Sequence, residues 1–146
     1  MYPKVEVDLA NIKFNAKRIV SLTKRKGINV WGVTKGVSAD LKIAKTMLEG
    51  GVAGLADSRI ENLKKLSSLD TELMLLRSPM LSQVSEVIDY VDISLNSELE
   101  VIYKLNRFAK KKNKIHKIIL MIDLGDRREG VLPKSVESVV KEIIRL

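Results

Sequence analysis

The sequence predicts an α/β fold built on parallel strands. Short apolar runs rich in β-branched residues alternate with amphipathic stretches of helical period from Ile28 onward. The runs are continuously apolar, as expected of strands covered on both faces. Strands separated by helices at this spacing pair in parallel through right-handed crossovers. Two architectures satisfy the pattern, a doubly wound open sheet and a (β/α) barrel. No glycine-rich dinucleotide fingerprint follows the first crossover strand, which weighs against the doubly wound version.

Lys4 to Leu9 alternates polar and apolar residues, with Val5, Val7 and Leu9 on one face, and reads as a short strand. Asp8 offers an N-cap to a helix whose stripe is Ile12, Ala16, Ile19 and Val20, and Gly27 is placed to stop it. Ile28 to Thr34 is an apolar run ending at Lys35. Leu41 to Leu48 is helical and closed by Gly50-Gly51. Val52 to Ala56 is the next run, ending at Asp57, with a helix from Ile60 to Leu66. Glu72 to Leu76 ends at Arg77-Ser78-Pro79, and a helix follows near Leu81 to Tyr90. Val91 to Leu95 leads to Asn96, then to a helix from Glu98 to Lys110. Ile115 to Ile122 is the longest apolar run and ends at Asp123-Leu124-Gly125. Pro133 marks the start of a last helix running toward Leu146.

The chain of 146 residues has room for about five units, whereas a full barrel has eight strands and about 250 residues. No linker or break in composition divides it, so residues 1–146 are expected to form one domain. The close on Ile143-Ile144-Arg145-Leu146, inside a helical stretch, is the ending expected of a fragment. The absence of cysteine removes disulfides and thiolate metal sites and fits a cytoplasmic protein. No long uncharged apolar run suggests a membrane span, and residues 1–6 carry no signal-peptide core. The net charge is +8, yet its lysines are spread over most helices. The densest run, Lys110, Lys111, Lys112 and Lys114 with Arg107, His116 and Lys117 beside it, reads as a solvated connection. Aromatic residues are 4% of the chain, too few for a base-stacking platform.

In parallel α/β folds the active site lies at the carboxyl ends of the strands. Lys35 stands there after the first crossover strand. Desolvation and a neighbouring arginine would make its amine a nucleophile; the alternative is a lysine reaching into solvent. Asp57, Ser58, Arg59 and Asn62 follow the second strand, Arg77 the third, and Ser94 and Asn96 the fourth. Asp123, Arg127 and Arg128 follow the fifth, in a loop where Gly125 and Gly130 permit a tight turn. An arginine there can clamp a carboxylate bidentately, or it can belong to an exposed charged loop. Asp57 and Asp123 could form a carboxylate pair, although hydrogen-bonding roles at strand ends are the commoner use. His116, the only histidine, starts a strand at the remote end and reads as structural or exposed.

These segments together resemble the N-terminal barrel region of the alanine-racemase-like (fold type III) pyridoxal 5′-phosphate (PLP) enzymes, in the branch that includes ornithine racemase. The matching stretches are Val5-Glu6-Val7-Asp8-Leu9 with Asn15, Gly32-Val33-Thr34-Lys35 and Leu55 through Leu63. Leu75 through Met80, Asp92 through Glu98 and Ile122 through Gly130 complete them. The resemblance implies a partial TIM-type barrel and a PLP-dependent amino-acid racemase, homodimeric at full length. It implies a Schiff base on Lys35, which also serves as a catalytic base. By the same resemblance Arg128 stands near the cofactor oxygen and the substrate carboxylate, with Asp57 and Asn96 as further cofactor contacts. The family's second base and most of its phosphate ligands come from later segments. One departure stands out: alanine racemase has a tyrosine four residues after the lysine, and here that residue is Ala39. Two other functions fit less of the sequence, a non-catalytic PLP-binding homeostasis protein and a basic nucleic-acid-binding domain. No metal site is expected.

Overall fold

The computed structural model describes residues 3–146. Asp8 caps the first helix, α1 (Leu9–Lys24), by accepting the backbone N–H of Asn11 at 3.1 Å. The expected strand over Lys4–Leu9 does not form: residues 3–8 pair with no strand, and Leu9 already belongs to α1. Alternation alone does not make a strand; a ladder needs a neighbour for its backbone groups, and Val5 and Val7 are left exposed.

From there strands and helices alternate as the sequence predicts. The order is β1 (Trp31–Val33), α2 (Leu41–Glu49), β2 (Gly54–Asp57), α3 (Ile60–Leu66), β3 (Leu73–Leu75) and α4 (Val84–Tyr90). Then come β4 (Ile93–Asn96), α5 (Leu99–Lys111), β5 (Lys117–Leu120) and α6 (Val136–Ile144). Asp40 caps α2 by accepting the N–H groups of Lys42 and Ile43, and Gly50 with Gly51, the latter at φ +92°, closes it.

All neighbouring strands are parallel, and their spatial order is β1-β2-β3-β4-β5. That order decides between the two architectures. A doubly wound sheet reverses direction at a switch point and carries helices on both faces. Here the order never reverses, and each helix touches the next from α1 through α6. Right-handed crossovers that always advance the same way stack all helices on one face. The chain is therefore five consecutive units of a (β/α) barrel.

Two apolar clusters follow from this. The larger lies between sheet and helices and joins Leu55, Leu73 and Leu75 to Leu63, Leu66, Val84, Val87 and Leu105. Each such side chain contributes about 1.5–3 kcal/mol on burial. The smaller lines the inner face, with Ala56, Met74 and Ile93 against Trp31, Leu76 and Leu95. β2 and β3 are buried throughout, whereas β5 alternates exposed and half-buried residues. The longest predicted run thus yields only a four-residue edge strand. Ile115 lies outside it, 93% exposed.

Candidate active site at the carboxyl ends of the strands

Lys35 begins a single 3-10 turn (Lys35–Val37) directly after β1. It shares a cleft of about 410 Å³ with Ser38, Ser58, Arg59, Asn62 and Lys65. The expected desolvation is absent, because Lys35 is exposed. Five strands in a row make an open trough, and among the described residues no opposite wall covers it. The charged groups lining the cleft are all cationic, and none of them has an ion-pair partner within 4 Å among the described residues.

Arg128 lies in a second cleft of similar size with Ser78, Ser97, Glu98, Asp123, Arg127, Glu129 and Gly130. Asp123 shapes this loop: its Oδ1 accepts the N–H groups of Gly125 at 2.7 Å and Arg127 at 3.2 Å. Those bonds, that of Gly125 foremost, hold its carboxyl below the usual carboxylate range. Arg127 sits at φ +52°, a left-handed conformation, which turns the chain so that Arg128 emerges exposed. The loop is anchored by a parallel bridge between Ile122 and Val131. Lys35 and Arg128 therefore stand at the same end of the sheet, after β1 and β5, but line separate clefts. In an eight-stranded barrel the first and fifth strands face each other across the mouth.

Asp57 and Asn96 do not face that mouth. Alternation along β2 and β4 puts Ala56, Ile93 and Leu95 on the inner face and sends Asp57, Ser94 and Asn96 to the helix side. Both Asp57 and Asn96 are wholly buried. Asp57 accepts hydrogen bonds from Thr34 Oγ1, the Arg59 N–H and Asn62 Nδ2. Asn96 donates to the carbonyl and hydroxyl of Ser94. Neither side chain offers surface to a ligand, so the expected cofactor contacts are supporting groups in this structure. Asp57 and Asp123 are likewise no carboxylate pair, since one is enclosed beneath α3 and the other belongs to the loop after β5.

Thr34, the buried partner of Asp57 beside Lys35, is not among the residues singled out by sequence; a hydroxyl closing an apolar run is its only signal. Nor are Ser78 and Ser97, whose hydroxyls meet at 3.3 Å between the β3 and β4 ends.

His116 lies at the opposite end of the sheet. Its Nδ1 donates to the Val91 carbonyl at 3.1 Å, which leaves Nε2 to accept from Ser94 Oγ at 2.8 Å. Burial pushes its pKa below the ordinary 6.5, against smaller upward effects of the Val91 carbonyl and Asp92. A base depressed in the folded state takes its proton first in the unfolded chain, so stability is full above about pH 6.5 and declines as pH falls below it. The melting temperature is expected to drop between about pH 7 and pH 5.5, and His116→Gln to flatten that part of the decline. Equal slopes for the two proteins in a thermal melt series would refute this.

Part of the basic run is paired within the chain. Lys112 pairs with Asp89, Lys117 with Glu72, and Lys114 donates to the carbonyls of Ile88 and Asp89 at the end of α4. Lys110 donates to the carbonyl of Leu146, and Lys111 lies over the Phe108 ring.

Residues 7–146 match the family model described as alanine racemase, N-terminal domain. The chain belongs to this family. It is 45% identical to the ornithine racemase of Acetoanaerobium sticklandii over all of its own length and 42% of that protein's. The lysine racemase of Thermotoga maritima is 35% identical, over 97% of this chain and 41% of the relative. Among solved structures, the alanine racemase of Clostridium difficile 630 superposes with a TM-score of 0.81 at 25% identity, over 97% of this chain and 39% of that one. The chain thus spans about two fifths of the length of these racemases. No helix among the described residues is long and apolar enough to cross a membrane.

Proposed function

We propose that this chain is the lysine-bearing barrel portion of a PLP-dependent amino-acid racemase, with residues 1–146 acting as one domain. The observation that carries the reading is the Lys35 cleft: an accessible primary amine at the carboxyl end of β1, ringed by the cations Arg59 and Lys65 and the hydroxyls of Ser38 and Ser58. That donor set fits an anionic aldehyde. The cofactor, when bound, withdraws electrons from the α-carbon of an amino acid and acidifies its hydrogen. Lys35 Nζ removes or returns that proton on one face. Arg128, exposed and without an ion-pair partner among the described residues, holds the substrate carboxylate from across the mouth. The acid for the other face is not in the Lys35 cleft, whose described lining carries no carboxyl or phenol. Ornithine and lysine, named for two relatives, are the first substrates to assay. A homodimer at full length and a cytoplasmic setting belong to the same proposal.

Lys112 and Lys117 are ion-paired and Lys114 is held by carbonyls at the end of α4, so fewer cations of the run are free for a phosphate backbone, which weighs against the nucleic-acid reading. The test is spectroscopic. Titration of the full-length polypeptide with PLP is expected to produce an absorbance band near the visible edge, and borohydride trapping with peptide mapping to place the adduct on Lys35. No band, or an adduct spread evenly over the lysines, would overturn the proposal. Racemisation by the full-length polypeptide then separates an enzyme from a cofactor-binding homeostasis protein.

A further inference from the structure

The Lys35 cleft rests on a buried polar latch that the proposed chemistry does not itself use. Asp57, the last residue of β2, is wholly buried, as is Thr34, the residue before Lys35. Thr34 Oγ1 donates to Asp57 Oδ2 at 2.8 Å. Asp57 Oδ1 accepts from the Arg59 N–H at 3.0 Å and from Asn62 Nδ2 at 3.1 Å. The main chain of Thr34 is held as well: its N–H donates to Ala56 O at 2.9 Å, and its carbonyl accepts from Val37 at 3.0 Å and Ala39 at 3.3 Å. Lys35 therefore departs from an anchored point.

The segment that follows is strained. Ser38 and Ala39 are consecutive left-handed residues, at φ +50° and +56°, and neither is glycine. Each such residue costs about 1–2 kcal/mol, and the conformation persists only where its surroundings impose it. The Thr34 hydroxyl ties this turn to the neighbouring strand, with Asp57 Oδ2 at 2.8 Å as its nearer acceptor and the Ala56 carbonyl at 3.3 Å.

We infer that Asp57, acting through the hydroxyl of Thr34, is a positioning residue for the Lys35 amine. The inference rests on the proposed role of Lys35. An amine attacking a bound aldehyde must meet it in a narrow range of distance and angle, and a displacement of about 1 Å can cost about a hundredfold in rate. A latch that pins residue 34 to the end of β2 confines the amine to that range.

A graded series at position 34 tests this in the full-length polypeptide, without an activity assay. Thr34→Ser keeps the donor, Thr34→Cys weakens it, and Thr34→Val removes it at nearly constant shape. Each protein is treated with PLP, reduced with borohydride and mapped lysine by lysine, with a thermal melt and amide exchange alongside. Labelling of Lys35 is expected to fall about tenfold or more in Thr34→Val, less in Thr34→Cys, and to be restored in Thr34→Ser. Labelling of Lys24 and Lys111, on α1 and α5, is expected to stay constant, with faster exchange confined to residues 34–39. The milder Thr34→Cys keeps the test decisive if Thr34→Val unfolds. Equal Lys35 labelling across the folded members overturns the positioning role. A parent chain that takes no label at Lys35 overturns the racemase reading instead.

Discussion

Lys35→Arg is expected to abolish racemisation in the full-length protein while leaving the fold intact. Arginine preserves the positive charge and most of the length of the side chain. Its guanidinium stays protonated throughout the accessible pH range, so it neither attacks an aldehyde nor takes up a proton. General acid–base groups contribute about 10²- to 10⁴-fold to rate, and losing the covalent anchor adds to that. In the 146-residue chain, where Lys35 is exposed, the stability change should stay within about 0.5 kcal/mol. Rates in both directions, with the borohydride adduct as a second readout, decide the matter. A variant that keeps the adduct and more than about a tenth of the rate would remove Lys35 from the mechanism.

The second large effect concerns the loop that presents Arg128. Gly130→Ala is expected to lower stability by about 2–5 kcal/mol, from strain plus overlap. Gly130 sits at φ +134°, where side chains are rarely accommodated. A Cβ there would run into the backbone nitrogen of Asp123, lie 2.7 Å from the Ile122 carbonyl carbon and 3.1 Å from Asp123 Cα. All three are main-chain atoms with little room to yield. Asp123 N–H donates to Val131 O at 3.0 Å, and Val131 N–H to Met121 O at 2.8 Å, so the overlap falls on the bridge that anchors the loop. A melting temperature lower by at least about 4 °C is expected, with amide exchange accelerated over residues 121–131. An unchanged melt would show that the loop relaxes around the new methyl.

How much of this was legible differs by residue. The start of α1 was readable because its chemistry is local: Asp8 caps by bonding an N–H group three residues away. Lys35 and Arg128 were readable as candidates because a charged residue directly after a strand needs only the strand to be placed. The faces of Asp57 and Asn96 were not. Both faces of β2 and β4 are covered, so a polar residue in these strands does not reveal by its polarity whether it turns to the helices or to the mouth. The lost strand over residues 4–9 failed for a related reason, since pairing depends on a partner distant in sequence.

By itself, then, the sequence determined the alternation of short strands and helices, the capping of α1 by Asp8 and the end of the sheet at which Lys35 and Arg128 stand. These follow from interactions within a few residues along the chain. Tertiary structure alone decided the strand order that makes the sheet part of a barrel and the burial of Asp57 and Thr34 beside Lys35. Those depend on which distant segments become neighbours, and the alternatives share the same local pattern of polar and apolar residues.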